Sequence, residues 1–172
     1  INPYVLLCPT RKTFCGPLDK KAVMLAEGGT HRVYLSDAIL LKENHFAASD
    51  SEFEGAIRKA ASSKGELSFI EIETENPKQA LDAASALCET KRLKNINVPL
   101  GIMFDNFTPS NIRLALQTIQ EAGFYDELFF EASGGISEET LSEYVSTGVD
   151  IISMGALTNR APALDISMKI AG

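Results

Sequence analysis

Three short stretches of this chain gather residues that could meet an anion. They are Thr10-Arg11-Lys12-Thr13, Gly28-Gly29-Thr30-His31-Arg32 and Lys42-Glu43-Asn44-His45, and they hold both of the chain's histidines. Converging Arg, Lys and His suit a ligand carrying two or three negative charges. A guanidinium grips carboxylate or phosphate through two parallel hydrogen bonds, and an ammonium adds a point charge. One such residue alone reads as a solvated face or a satisfied structural group, whereas six cationic or potentially cationic groups at neighbouring sites imply a ligand.

The acids fall elsewhere. Glu71 and Glu73 are two apart, so on a strand they share one face, which in a barrel can be the interior. As a pair, Glu73 and Asp105 could hold a sugar diol or recruit magnesium through hard carboxylate oxygens, and such carboxylates suit stabilising positive charge developing on a sugar ring. A third kind of signal is the near absence of side chains. Glu131 leads into Ser133-Gly134-Gly135, and Ser153-Met154-Gly155 precedes Ala156. Glycine lets backbone amides approach an anion closely, and a following helix start adds partial positive charge, so phosphate can be held there without lysine. A lone Gly-Gly also serves plain turns; two such loops at consecutive positions are more specific.

These residues need elements to position them. Short apolar runs near Tyr4–Leu7, Ile39–Lys42, Ser68–Glu73, Leu100–Phe104, Glu127–Phe130 and Ile151–Met154 read as six strands. Between them, helical periodicity is expected over about Leu18–Glu27, Ser51–Ser63, Pro77–Glu89, Pro109–Ala122 and Glu138–Thr147. Asn76, Thr108 and Ser137 stand as capping residues, and Gly123 and Gly148 as stops. Alternating units of this kind make a parallel α/β sheet, open or closed, with the ligand site at the carboxyl ends of its strands. The length favours a partly open parallel α/β barrel, TIM-like, with about six βα units, and residues 1–172 are read as a single domain.

Composition narrows the function. The formal net charge is -7, which disfavours nucleic acid and anionic membrane as general partners, since both would be repelled over most of the surface. Three cysteines without a C-x-x-C spacing indicate neither a disulfide framework nor a zinc site. Reduced cytoplasmic thiols are expected. The start at Ile1 has the features of neither a signal nor an anchor.

In order, TRKT (10–13), GGTHR (28–32), LSDAILLKENH (35–45), IEIE (70–73), FDN (104–106), EASGGI (131–136), TGVDIISMGALT (147–158) and LDIS (164–167) run through almost the whole chain. Together they closely resemble the quinolinate phosphoribosyltransferases, the carboxylating nicotinate-nucleotide pyrophosphorylases. The resemblance implies the partly open barrel that forms the C-terminal domain of that family. It also implies a magnesium-dependent transfer from phosphoribosyl pyrophosphate to the ring nitrogen of quinolinate, with loss of the 2-carboxylate. The products would be nicotinate mononucleotide, pyrophosphate and carbon dioxide, a step of NAD biosynthesis. Carried over by position, Arg11, His31 and Arg32 match residues that hold the quinolinate carboxylates. Lys12 and Lys42 match lysines facing phosphoribosyl pyrophosphate and the reacting centre. Glu73 and Asp105 match acids that bind ribose and magnesium, and Ser133, Gly134, Ser153 and Gly155 belong to the loops that grip the 5-phosphate. The resemblance further implies a cytoplasmic enzyme that assembles at least as a homodimer.

The chain departs from that pattern in three places. The family's N-terminal α/β domain, which lends an Arg to a neighbouring subunit's site, has no counterpart in these residues. After TRKT, Cys15-Gly16-Pro17-Leu18 stands where the family has Pro-Gly-x-Arg. Leu-Thr-His-Ser becomes Leu157-Thr158-Asn159-Arg160, where Asn159 can still donate a hydrogen bond and Arg160 supplies charge. Alternatives are a truncated or divergent relative that binds a phosphorylated or dicarboxylate ligand without turnover, or one of the related molybdenum-transport-associated proteins. The KENH stretch favours the quinolinate family over the latter.

Overall fold

The computed structural model describes residues 4–47, 53–62, 67–94, 96–162 and 165–170. Six strands form one sheet: β1 (Leu6–Pro9), β2 (Ile39–Leu41), β3 (Ile70–Thr74), β4 (Leu100–Asp105), β5 (Phe129–Ser133) and β6 (Ile151–Met154). Every pair is parallel, and the order is β1-β6-β5-β4-β3-β2. Strands 2 to 6 neighbour one another in chain order and β1 joins at β6. The sheet therefore runs round as a barrel does, with a single unpaired seam between β1 and β2. Residues of all six strands line one cavity, which requires that curl. The expected partly open α/β barrel is the fold observed.

Alternation along the strands sorts side chains to two sides. Ile70, Ile72, Leu100, Ile102, Phe104, Phe130 and Ile152 are almost fully buried and join the core against the helices. The intervening positions, Glu71, Glu73, Met103, Asp105, Glu131, Ser133 and Ser153, turn to the barrel interior. Below them Phe69 and Phe129 pack edge to face at 5.5 Å, and Gly101 sits so close that a β-carbon there would meet the Phe129 ring at 2.3 Å. The interior is thus filled with rings at the base and polar near the carboxyl ends.

Among the described residues, six α-helices cover the outside: α1 (Pro17–Leu25), α2 (Glu43–Ala47), α3 (Phe53–Ala61), α4 (Pro77–Lys94), α5 (Pro109–Glu121) and α6 (Leu141–Val145). In α5, Ile112, Ala115, Leu116 and Ile119 are buried at the i, i+3, i+4, i+7 spacing of one helical face. Thr108 caps it by accepting from the Asn111 N–H at 3.2 Å, and Asn76 accepts likewise from Gln79 N–H at 2.9 Å at the start of α4. Two expectations change. Ser137 caps no helix: its hydroxyl bonds Glu139 at 2.5 Å and its N–H donates to Thr140 at 3.1 Å. This local turn delays α6 to Leu141. Strands β1, β3 and β5 begin two residues later than the apolar runs indicated, and each also ends later, at Pro9, Thr74 and Ser133. For α3, the expected ends Ser51 and Ser63 lie outside the described residues. No described helix is long and apolar enough to cross a membrane.

Candidate active site

At the carboxyl ends of the strands lies a cavity of about 410 Å³. The β1 end and its connection to β2 supply Arg11, Lys12, His31 and Arg32, β2 supplies Lys42, β3 Glu73, β4 Asp105, β5 Ser133 and Gly134, and β6 Ser153, Gly155 and Asn159; all of them line it. Every residue to which the family resemblance gives a role therefore reaches one cavity, together with Arg160. His45 does not line it: on α2, its Nδ1 accepts from the Lys42 N–H at 3.0 Å.

The cavity is polarised. Arg11 and Lys12 are exposed at one flank, and the Thr158 hydroxyl ties their loop to the β6 side by donating to the Lys12 carbonyl at 3.1 Å. Arg32 is 8% exposed; its Nη1 donates to the Ala38 carbonyl at a long 3.5 Å and its Nε has no protein partner. A buried guanidinium with a donor to spare is suited to an incoming carboxylate. Lys42 is ion-paired to Glu73, so the acid at the centre of the site already holds a cation in place. Asp105 accepts from the Asn106 side-chain amide at 2.7 Å.

Beneath these groups is a cluster that the sequence only half disclosed. His31 Nε2 lies 3.1 Å from Glu71 Oε2 and 3.0 Å from Glu131 Oε2, and both glutamates are fully buried. One ring N–H can satisfy only one of them. It serves Glu71, while both Glu131 oxygens and Glu71 Oε1 are left without a hydrogen bond. Burial alone would lower the His31 pKa, but the two carboxylates outweigh it and lift it to about 9. Burial and the neighbouring Glu131 push Glu71 up to about 7, against the opposing effect of His31 and Arg32. His31 is thus a cation at neutral pH. The three side chains could bring ligand atoms together as for a metal ion. Arg32 and Lys20 already oppose the two carboxylates, so the cluster reads as a balanced charge network. Glu131 was legible by alternation, since it shares a face with Ser133, and Lys20 of α1 gave no sequence signal.

At the ends of β5 and β6 the lining includes glycine backbone, at Gly134, Gly135 and Gly155. Gly134 has φ 90° and Gly135 φ 66°, a region that side chains rarely adopt. At Gly134 a β-carbon would also meet Asn106 Oδ1 at 2.4 Å. Asn106 donates its N–H to the Ser133 carbonyl at 2.8 Å, which locks this loop to the end of β4. In the turn after β6, the Asn159 N–H donates to the Gly155 carbonyl at 2.9 Å, and the buried Asn159 Oδ1 has no protein partner. Asn159 therefore stands at the cavity with polar capacity unused.

A family model described as "Quinolinate phosphoribosyl transferase, C-terminal domain" matches residues 2–169. Among similar proteins, the probable nicotinate-nucleotide pyrophosphorylase [carboxylating] of Methanothermobacter thermautotrophicus is 34% identical over 174 residues, covering 100% of this chain and 58% of that protein. Its Bacillus subtilis counterpart is 37% identical over 171 residues, covering 98% and 53%. The crystal structure of NadC from Streptococcus pyogenes superposes with a TM-score of 0.78 at 35% identity, covering 98% of this chain and 54% of that one. The chain thus spans somewhat over half the length of these relatives. With the barrel, the order of its strands and a family match along nearly all its length in agreement, the chain belongs to the quinolinate phosphoribosyl transferase C-terminal domain family.

Proposed function

We propose that this cavity binds quinolinate and phosphoribosyl pyrophosphate and joins them, with loss of carbon dioxide, into nicotinate mononucleotide. The observation that carries the reading is the polarity of the cavity. Cations gather at the β1–β2 flank, carboxylates at the ends of β3 and β4, and bare amides at β5 and β6. An aromatic dicarboxylate suits the first, a ribose that develops positive charge the second, and a 5-phosphate the third.

In this reading Arg11, Arg32 and the His31 cation hold the two carboxylates and fix the ring nitrogen toward the sugar. Alignment of this kind converts an encounter into a near-attack geometry. The bond from the anomeric carbon to pyrophosphate breaks, Glu73 and Asp105 stabilise the positive charge that develops, and the ring nitrogen captures it. Lys12 and Lys42 meet the departing negative charge. As carbon dioxide leaves, the electron pair of the carbon–carboxylate bond stays on the ring carbon as a carbanion stabilised by the adjacent quaternised nitrogen, and that carbon then takes up a proton. Ser133, Gly134, Ser153, Gly155 and Asn159 anchor the 5-phosphate.

Magnesium is the metal ion this chemistry calls for, and the donor set suits it. Glu73 and Asp105 offer hard carboxylate oxygens at adjacent strand ends, and one Asp105 oxygen is engaged by Asn106. When bound, the ion supplies charge neutralisation for pyrophosphate. We also read the chain as working in a homo-oligomer in the cytoplasm. Exposed Leu18 and Leu25 on α1, and Tyr34 and Leu35 in the segment before β2, support the first, and three free cysteines agree with the second.

Binding calorimetry tests the substrate reading. Quinolinate should bind at least about tenfold more tightly than nicotinate, which lacks one carboxylate, and Arg32→Ala should abolish that preference. Equal affinity for the two acids in the unmodified protein would remove the dicarboxylate assignment.

A further inference from the structure

Lys20 lies on α1, a helix whose neighbouring Leu18 and Lys21 are exposed, yet it is itself only 4% exposed. Burying an ammonium is costly unless its donors are used. Two of them are. Lys20 Nζ donates to the Thr30 carbonyl at 2.5 Å and to the Pro9 carbonyl at 3.3 Å.

Those two carbonyls have special addresses. Pro9 is the last residue of β1, directly before Thr10, Arg11 and Lys12, and Thr30 directly precedes His31 and Arg32. The strand edge explains the need. On β1, Leu6 pairs toward β6, as its N–H bond to the Asp150 carbonyl at 2.9 Å shows. Leu7 and Pro9 turn their carbonyls to the other side, the unpaired seam. There the Gly29 N–H takes the Leu7 carbonyl at 2.8 Å, and the Lys20 ammonium takes the next one along. A side chain thus continues the ladder where no strand does, and it joins the two segments that carry four of the site's cations.

We propose that Lys20 is a positioning residue for anion recognition, its ammonium clasping the exit of β1 to the loop of His31 and Arg32 and so setting the spacing of the groups that meet the acidic substrate. Burial, with Arg32 and Arg11 nearby, lowers the Lys20 pKa against the opposing charge of Glu131, and the two carbonyls solvate the ammonium in place of water. A third donor remains, and Lys20 is itself among the residues lining the cavity. The identity of the acid rests on the quinolinate reading; the clasp rests only on the two hydrogen bonds.

The test compares Lys20→Met, which keeps length and removes all donors, with Lys20→Arg, which keeps charge and donors. Hydrogen exchange is followed over residues 10–13 and 29–32, and steady-state kinetics with quinolinate and phosphoribosyl pyrophosphate are measured alongside. Lys20→Met should speed exchange in both segments together and raise the KM for quinolinate by about tenfold or more with a smaller change in kcat, while Lys20→Arg restores most of both. Faster exchange confined to α1, or an unchanged KM despite loosened segments, overturns the proposal. Should Lys20→Met fail to fold, Lys20→Gln carries the same comparison, since its amide can keep one of the two bonds and a smaller effect of the same pattern is expected. If the unmodified protein does not turn over quinolinate, the substrate reading fails by itself and the exchange measurement still decides the clasp.

Discussion

His31 is the residue on which the most depends, because it holds two buried carboxylates through one nitrogen and also lines the cavity. Its pKa in the fold, about 9, lies above the reference 6.5. The stabilisation it brings is therefore complete below pH 6.5 and lost as pH rises through about 9. Glu71, raised to about 7, adds a change of the same sign at lower pH, since folding favours its protonated form. Chemical denaturation between pH 6 and 9.5 should show stability falling by up to roughly 3 kcal/mol, and His31→Gln should flatten most of that slope. A slope unaffected by the substitution would mean that the imidazole is not held as a cation. At this scale the sequence was generous with Arg11, Lys12, His31, Arg32 and Lys42, whose charges stand at strand ends. It was silent on Lys20, because a lysine in an amphipathic helix normally faces water and only the seam beside β1 gives this one a reason to turn inward.

At the scale of elements, strand order and loop chemistry matter more than helix content. The period-2 and period-3.6 patterns located all six strands and five helices, yet three features escaped them. α2 is only five residues long, below what periodicity resolves. α6 starts late because the Ser137–Thr140 turn competes with the helix for the same backbone groups. The seam between β1 and β2 is a long-range property of curvature, which no local pattern encodes. The loop after β5 offers a sharp test of its proposed phosphate-binding role. Gly134→Ala adds strain at φ 90° and drives a β-carbon to 2.4 Å from Asn106, whereas Gly135→Ala adds strain at φ 66° with open space around it. Gly134→Ala should cost about 2–3 kcal/mol in denaturant unfolding and weaken phosphoribosyl pyrophosphate binding, against about 1 kcal/mol for Gly135→Ala. Equal costs would show that the approach of this loop to β4 is not tight.

For the molecule as a whole, an acidic surface and a cationic cavity belong together. With net charge -7, the protein repels polyanions broadly and confines attraction to one place, where buried Arg32, Lys20 and the His31 cation meet exposed Arg11 and Lys12. The barrel makes this possible by directing six strand ends at a common point, so that residues more than 140 positions apart in the chain, such as Lys12 and Thr158, come into direct contact. The central claim is that the cavity carries out coupled transfer and decarboxylation. The most direct measurement gives the protein quinolinate labelled in its 2-carboxylate, phosphoribosyl pyrophosphate and magnesium, and follows labelled carbon dioxide and pyrophosphate together. The account predicts their release in equal amounts, with nicotinate mononucleotide as product. Binding of both substrates with release of neither would contradict it.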